Sequence, residues 1–250
     1  MGRKNKAKGR SNKVYGEKNV LEGNLNKIEG TKNGVSGDDN VVLHGKDNVI
    51  SGGKNRIGGS KNMVLGSGNL LDGDKNYIDE GDHNEIKGSN NYAQGHKNVL
   101  IGHSNAVDGH SNAAVGKGHV ITGQLNSVEG RKNVGAGVHN VVVGEKNTWV
   151  GSGNVLSGSH LVVNGDDNEI LADRSEVCGH GNAARGEGHV IVGHQNQALG
   201  RNNVVLGGNS NKVSGADNMI KGSNNKVQGQ GNRVEGKGNV VLSSVSDADL

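Results

Sequence analysis

The sequence predicts an all-β protein, a two-sided β-solenoid (β-roll) of about 17 turns, each made of two seven-residue units. Three observations predict it. A seven-residue unit, Gly-x-x-Asn-x-Val-x, fills residues 2–242 almost without interruption, as in residues 186–206, GEGHVIV GHQNQAL GRNNVVL. The chain has 45 Gly, no Pro, no Phe and 2% aromatics. That composition cannot fill a conventional core, whereas a stacked repeat buries only a thin one of small β-branched residues. Finally, the departures from the unit sort by alternate copies, which makes two units the structural period.

Seven residues is also the coiled-coil period, and that alternative fails. A glycine every seventh residue costs a helix about 1 kcal/mol each, and no Leu or Ile pair recurs at a and d spacing. As a strand, Asn-x-Val-x alternates faces, with Val inward and its two neighbours outward. Glycine then takes the corner, where a positive φ is needed.

The 34 units place Gly in the first slot of 33, Ala172 being the exception, and Asn in the fourth slot of 30. The Asn exceptions are His119, Leu161, Ser175 and His189, and all four fall in odd units; every even unit keeps Asn, from Asn12 to Asn239. Gly135 and Trp149, the two exceptions in the inward Val slot, are two units apart. An absent side chain beside an oversized one conserves core volume. One strand per unit and two strands per turn account for both patterns. Inward Val, Ile and Leu form facing ladders, and Asn amides are expected to stack as ladders along the axis. At about 4.8 Å per turn the roll would extend on the order of 80 Å.

In chain order, the first turns are basic (Arg3, Lys4, Lys6, Lys8, Arg10 and Lys13), with no acid before Glu17. Charge there is expected to cap an open strand edge, the alternative being a phosphate- or membrane-binding arm. Single extra residues near His44, Glu80 and Gly207 lengthen three units and are expected as bulges or longer corners. Residues 172–178, ADRSEVC, lose both Gly and Asn and are taken as an eroded repeat within one domain, residues 1–242. Residues 243–250 form a short tail outside the repeat.

Several function classes are excluded on residue grounds. Lone Cys178 rules out an internal disulfide framework. A formal net charge of +3 does not point to nucleic acid. No segment is long and apolar enough to span a membrane, and no apolar stretch of a secretory signal follows the first residues. Met-Gly opens like a myristoylation site, but position 6 is Lys6. The chain is therefore expected to be soluble, cytoplasmic as written or secreted if a leader has been removed. There is no Gly-x-Ser-x-Gly, phosphate loop or His-Glu-x-x-His, so neither catalysis nor a cofactor is expected. His96 and His110, and likewise His180 and His194, are two units apart and would stack on neighbouring turns. Each pair is read as lacking a third ligand at matching spacing, and zinc takes three or four, so these histidines are expected as solvated corners and no metal is expected.

The outward slots carry the candidate site. In the odd units of residues 116–206 they read Val120, Thr122; Val134, Ala136; Thr148, Val150; Val162, Asn164; Glu176, Cys178; Val190, Val192; Val204, Leu206. One of these fourteen is charged, against four in the adjacent even units, Glu129, Glu169, Arg185 and Lys212. A contiguous apolar strip of this kind marks either an interaction surface or no more than the preference of Val for strands wherever it points. As an interaction surface, its partner is either a regular solid such as an ice crystal surface or another protein chain. The state is then a monomer or a face-to-face homo-oligomer.

The unit, in copies such as Lys18-Asn19-Val20-Leu21-Glu22-Gly23, resembles the x-x-Asn-x-Val-x-Gly repeat of the ryegrass ice-binding (antifreeze) protein family over nearly the whole chain. More loosely it is similar to the head repeats of bacterial trimeric adhesins. The first resemblance implies a left-handed roll and a non-enzymatic function, adsorption to ice through a flat strand face; the second implies a structural or adhesive rod. One departure stands out: a ryegrass-like ice face is rich in Thr, Ser and Val, whereas this chain has three Thr, of which only Thr122 and Thr148 occupy outward slots.

Overall fold

The computed structural model describes residues 4–243. The chain divides into two compact units, Met1–Asn126 and Ser127–Leu250. Each is a β-solenoid without helices. Short strands alternate between two parallel sheets, and each strand lies beside the strand one turn further along. In unit 1, Lys13–Glu17 pairs with Lys27–Thr31, with Val14 opposite Ile28. In unit 2, Ser127–Arg131 pairs with Val141–Glu145, with Val128 opposite Val142.

The inward slot forms the core of each unit. Ile28, Val42, Ile57 and Leu71 are buried in unit 1, and Val142, Leu156, Ile170 and Val205 in unit 2. Gly135 stands directly opposite Trp149 in unit 2. A Cβ on Gly135 would overlap the indole ring, so the two exceptions in the Val slot form one packing unit. The Trp149 ring is fully buried, and its Nε1 donor has no hydrogen-bond partner.

The asparagines are buried as well, and their bonds explain why. Asn168 donates its backbone N–H to Asn154 Oδ1 at 3.1 Å and its Nδ2 to the Gly179 carbonyl at 2.9 Å. Each Oδ1 thus accepts from the next turn while each Nδ2 satisfies a corner carbonyl, so a polar side chain at the core edge leaves few groups unpaired. In unit 1, Asn33 repeats the pattern with Asn19 and Gly45. Of the exceptions, His189 and Ser175 supply hydrogen-bonding groups in place of the amide, whereas Leu161 keeps only its backbone N–H bond to Asn147 Oδ1 at 3.0 Å. His189 Nε2 lies 3.0 Å from the Arg185 carbonyl, and its Nδ1 accepts the Asn203 N–H at 3.4 Å. Ser175 Oγ accepts the His189 N–H at 3.0 Å.

The corners need positive φ twice. At the glycine slot, Gly165 has φ 134°, and a Cβ there would strike the Gly179 carbonyl one turn on. The residue before each Asn is left-handed whatever its type, as at Lys132 (φ 53°) and His139 (φ 57°). Two of the extra residues behave as bulges, and Glu80 lies in a corner between the strands Tyr77–Asp79 and Glu85–Ser89. His44 has φ 52°, and pairing passes from Ile28 opposite Val42 to Gly30 opposite Gly45. Near Gly207 it passes from Val192 opposite Leu206 to His194 opposite Asn209.

The eroded repeat stays in the sheet, where Glu176–His180 pairs with both Val162–Asn164 and Val190–His194. At the basic start, Lys8 Nζ lies 2.8 Å from Glu22 Oε1. Ser243, the first residue of the expected tail, still donates its N–H to the Gln228 carbonyl at 2.9 Å. Residues 244–250, like Arg3, lie outside the described residues. Among the described residues no helix is long and apolar enough to cross a membrane.

Candidate functional site

Alternation puts both neighbours of each buried Val-slot residue on the outer surface. Nine of the eleven candidate residues lie in unit 2, while Val120 and Thr122 belong to unit 1, opposite Ala106 and Asp108. In unit 2 the candidates form two columns in unbroken register. One runs Val134, Thr148, Val162, Glu176, Val190, Val204. The other runs Ala136, Val150, Asn164, Cys178, Val192, Leu206. Val150 and Val162 are half exposed, at 56% and 50%. Ala136, Val190 and Val204 are intermediate, and the rest are exposed.

Five steps separate Val134 from Val204, about 24 Å at the usual strand spacing, and the columns stand about 7 Å apart. Glu176 is the single charge between these limits. Below Leu206 and Val204 the columns continue into Lys221 and Met219, then Glu235 and Arg233, where the apolar run ends.

The other faces differ. The second sheet of unit 2 also exposes Val141, Val143, Val155 and Leu171, but Glu169 and Arg185 form an ion pair at 3.1 Å across it. Counting charges hid this second group of valines, although residues 141, 143 and 155 were readable from the same slots. On the odd face of unit 1, Tyr77 and Tyr92 lie against each other, tilted, with ring centroids 5.4 Å apart. The Tyr92 hydroxyl lies 3.1 Å from Gln94 Oε1 and 3.4 Å from Asp79 Oδ2. Desolvation and the nearby Asp79 carboxylate raise the pKa of this phenol.

The histidine pairs stack as expected, and each has a third member that spacing by histidine alone missed. Asp82 precedes His96 and His110 by one and two turns, as Asp166 precedes His180 and His194. Among the described residues no three His, Cys, Asp or Glu side chains converge as a metal cluster.

A model of the grass antifreeze β-roll matches residues 57–158 and 149–244, well over half of the chain. The chain belongs to the grass antifreeze β-roll family. Comparison with curated proteins gives no match. The second matched stretch contains every candidate residue of unit 2 from Val150 to Leu206. Its inward Asn ladders and outward strand slots supply a stiff backbone with a repeating side-chain lattice.

Proposed function

We propose that this chain is a non-catalytic ice-binding protein that adsorbs to ice through the odd-sheet face of unit 2 and inhibits recrystallisation. The observation that carries the proposal is the constant register of the Val134–Val204 and Ala136–Leu206 columns. Small side chains at a fixed repeat on a hydrogen-bonded scaffold are preorganised, so little ordering entropy is lost on meeting a regular solid. Taking the exposed apolar side chains out of liquid water on adsorption is itself favourable. Family membership makes ice the first target to try.

The test is ice recrystallisation inhibition and thermal hysteresis on the purified chain beside a Val134→Lys, Val190→Lys double variant. Both positions are outward, and the second sheet already tolerates Lys212 in the equivalent slot, so the variant should fold. The parent is expected to be active and the variant to lose most of that activity. A folded parent without activity sinks the ice reading; equal activity in both sinks the assigned face. The strip's scarcity of Thr supports a second reading, docking of another protein chain as a structural or adhesive rod. An inactive parent that self-associates through the strip, as seen by sedimentation, would establish that alternative.

A further inference from the structure

The corner position after the glycine carries the same three residue types twice, twelve units apart: Asp82, His96, His110 in unit 1 and Asp166, His180, His194 in unit 2. In both copies the imidazoles are parallel. Their centroids are 5.2 Å apart and tilted 2° in unit 1, and 5.3 Å apart and tilted 4° in unit 2.

The carboxylates are anchored alike, and the first imidazole of each column is what differs. Asp166 Oδ1 accepts the Ser152 N–H at 2.7 Å, which fixes the carboxylate, and its Oδ2 lies 3.3 Å from His180 Nδ1. A carboxylate facing Nδ1 holds the proton there and leaves a lone pair on Nε2. Metal-binding histidines are oriented in this way. In unit 1, Asp82 Oδ1 likewise accepts the Ser67 N–H at 2.7 Å and its Oδ2 lies 3.7 Å from His96 Nδ1, but His96 Nδ1 there also accepts the Asp82 backbone N–H at 3.1 Å, which places the proton of the neutral ring on Nε2. Beside the unit 2 pair lies a groove of about 380 Å³ lined by Asp167, His180, Gly181, His194, Gln195 and Asn209.

We propose that His180 and His194 form a two-imidazole clamp for a late first-row divalent cation such as Ni2+ or Cu2+, with Asp166 as the positioning residue. Metal–imidazole bonds of about 2.0–2.1 Å require the two Nε2 atoms within roughly 4.2 Å of each other. The parallel rings must tilt toward one another, and the exposed His180 side chain has room to do so (55%). Imidazole nitrogen prefers Cu2+ and Ni2+ over Ca2+ and Mg2+. Because no third His, Cys, Asp or Glu converges among the described residues, the remaining ligands are groove amide oxygens and water. This makes the clamp an open surface site.

The experiment is calorimetric titration of the untagged full chain with NiCl2, with melting temperature followed in parallel. The parent should show one principal site, and Ni2+ should raise its melting temperature. His194→Gln should weaken that site at least tenfold and abolish the shift while leaving the metal-free melt unchanged. Asp166→Asn keeps the acceptor for Ser152 but places an amide donor at His180 Nδ1, so it should weaken binding severalfold. His110→Gln should leave the principal site intact. Parent affinity no better than that of His194→Gln overturns the proposal, as does an equal loss from His110→Gln.

Discussion

Replacing Asn168 by Ala tests the claim that the buried amide ladder, not the thin apolar core alone, holds unit 2 together. Asn168 Oδ1 accepts the Asn182 N–H at 3.0 Å and Asn182 Nδ2 at 3.1 Å. Asn168 Nδ2 donates to Asn154 Oδ1 at 3.0 Å and to the Gly179 carbonyl at 2.9 Å. After truncation, Asn154 Oδ1 keeps the Asn168 backbone N–H and Asn182 Nδ2 keeps the Gly193 carbonyl. The Asn182 N–H loses its side-chain acceptor and the Gly179 carbonyl loses its amide donor. At about 1–3 kcal/mol for each of the two buried groups left unpaired, the cost is about 2–6 kcal/mol. That is a large share of a typical stability of about 5–15 kcal/mol. Asn239 is the control. It bonds to Asn225 and to the Glu235 carbonyl, but it is only partly buried and water can replace its bonds. Asn239→Ala should therefore cost about 0.5–1.5 kcal/mol. Urea unfolding followed by circular dichroism compares the two, and amide exchange at Asn182 reports the orphaned donor directly. The reasoning fails if Asn168→Ala costs no more than Asn239→Ala, or if exchange at Asn182 is unchanged.

Two further outcomes follow from the cores and ladders. Trp149→Val should cost about 2–4 kcal/mol by opening a cavity against Gly135, and adding Gly135→Val should recover part of it; strict additivity in the double-mutant cycle would refute the packing unit. His189 is held neutral chiefly by burial, which lowers its pKa, partly opposed by the backbone carbonyls of Arg185 and Gly200. Because the folded pKa lies below the unfolded one, the unfolded chain binds more protons between them, and stability falls as pH drops below the ordinary imidazole value of about 6.5. The melting temperature should decline from pH 8 to pH 5, and His189→Asn should remove that share of the decline; an unchanged slope in the variant rejects the assignment.

The repeat made the fold legible because each slot has one physical duty and a residue type that fits it. Glycine stands where a Cβ would strike the next turn's carbonyl, as at Gly165. Asparagine stands where one side chain must both donate and accept, as at Asn168. The left-handed residue before each Asn was not legible. Lys132, His139 and Asp167 share that conformation without sharing chemistry, so composition carries no signal there. The Asp166–His180–His194 column was missed for a different reason. Its members are of mixed type, and a search for equal residues at a two-unit step passes over the aspartate.

The outward slots pose the opposite problem, because the fold leaves them free. The second sheet of unit 2 accepts Glu129, Glu169, Arg185 and Lys212 in slots that are apolar or small in most of the odd sheet, and it keeps the same register. Strand propensity alone should then treat the two sheets alike. It accounts for Val141, Val143 and Val155 on the second sheet but not for the single charge among the twelve odd-sheet slots between Val134 and Leu206. What those slots share is exposure and register, which ice and a partner chain can both use. The discriminating property is therefore how a lysine placed in the column changes growth of the crystal.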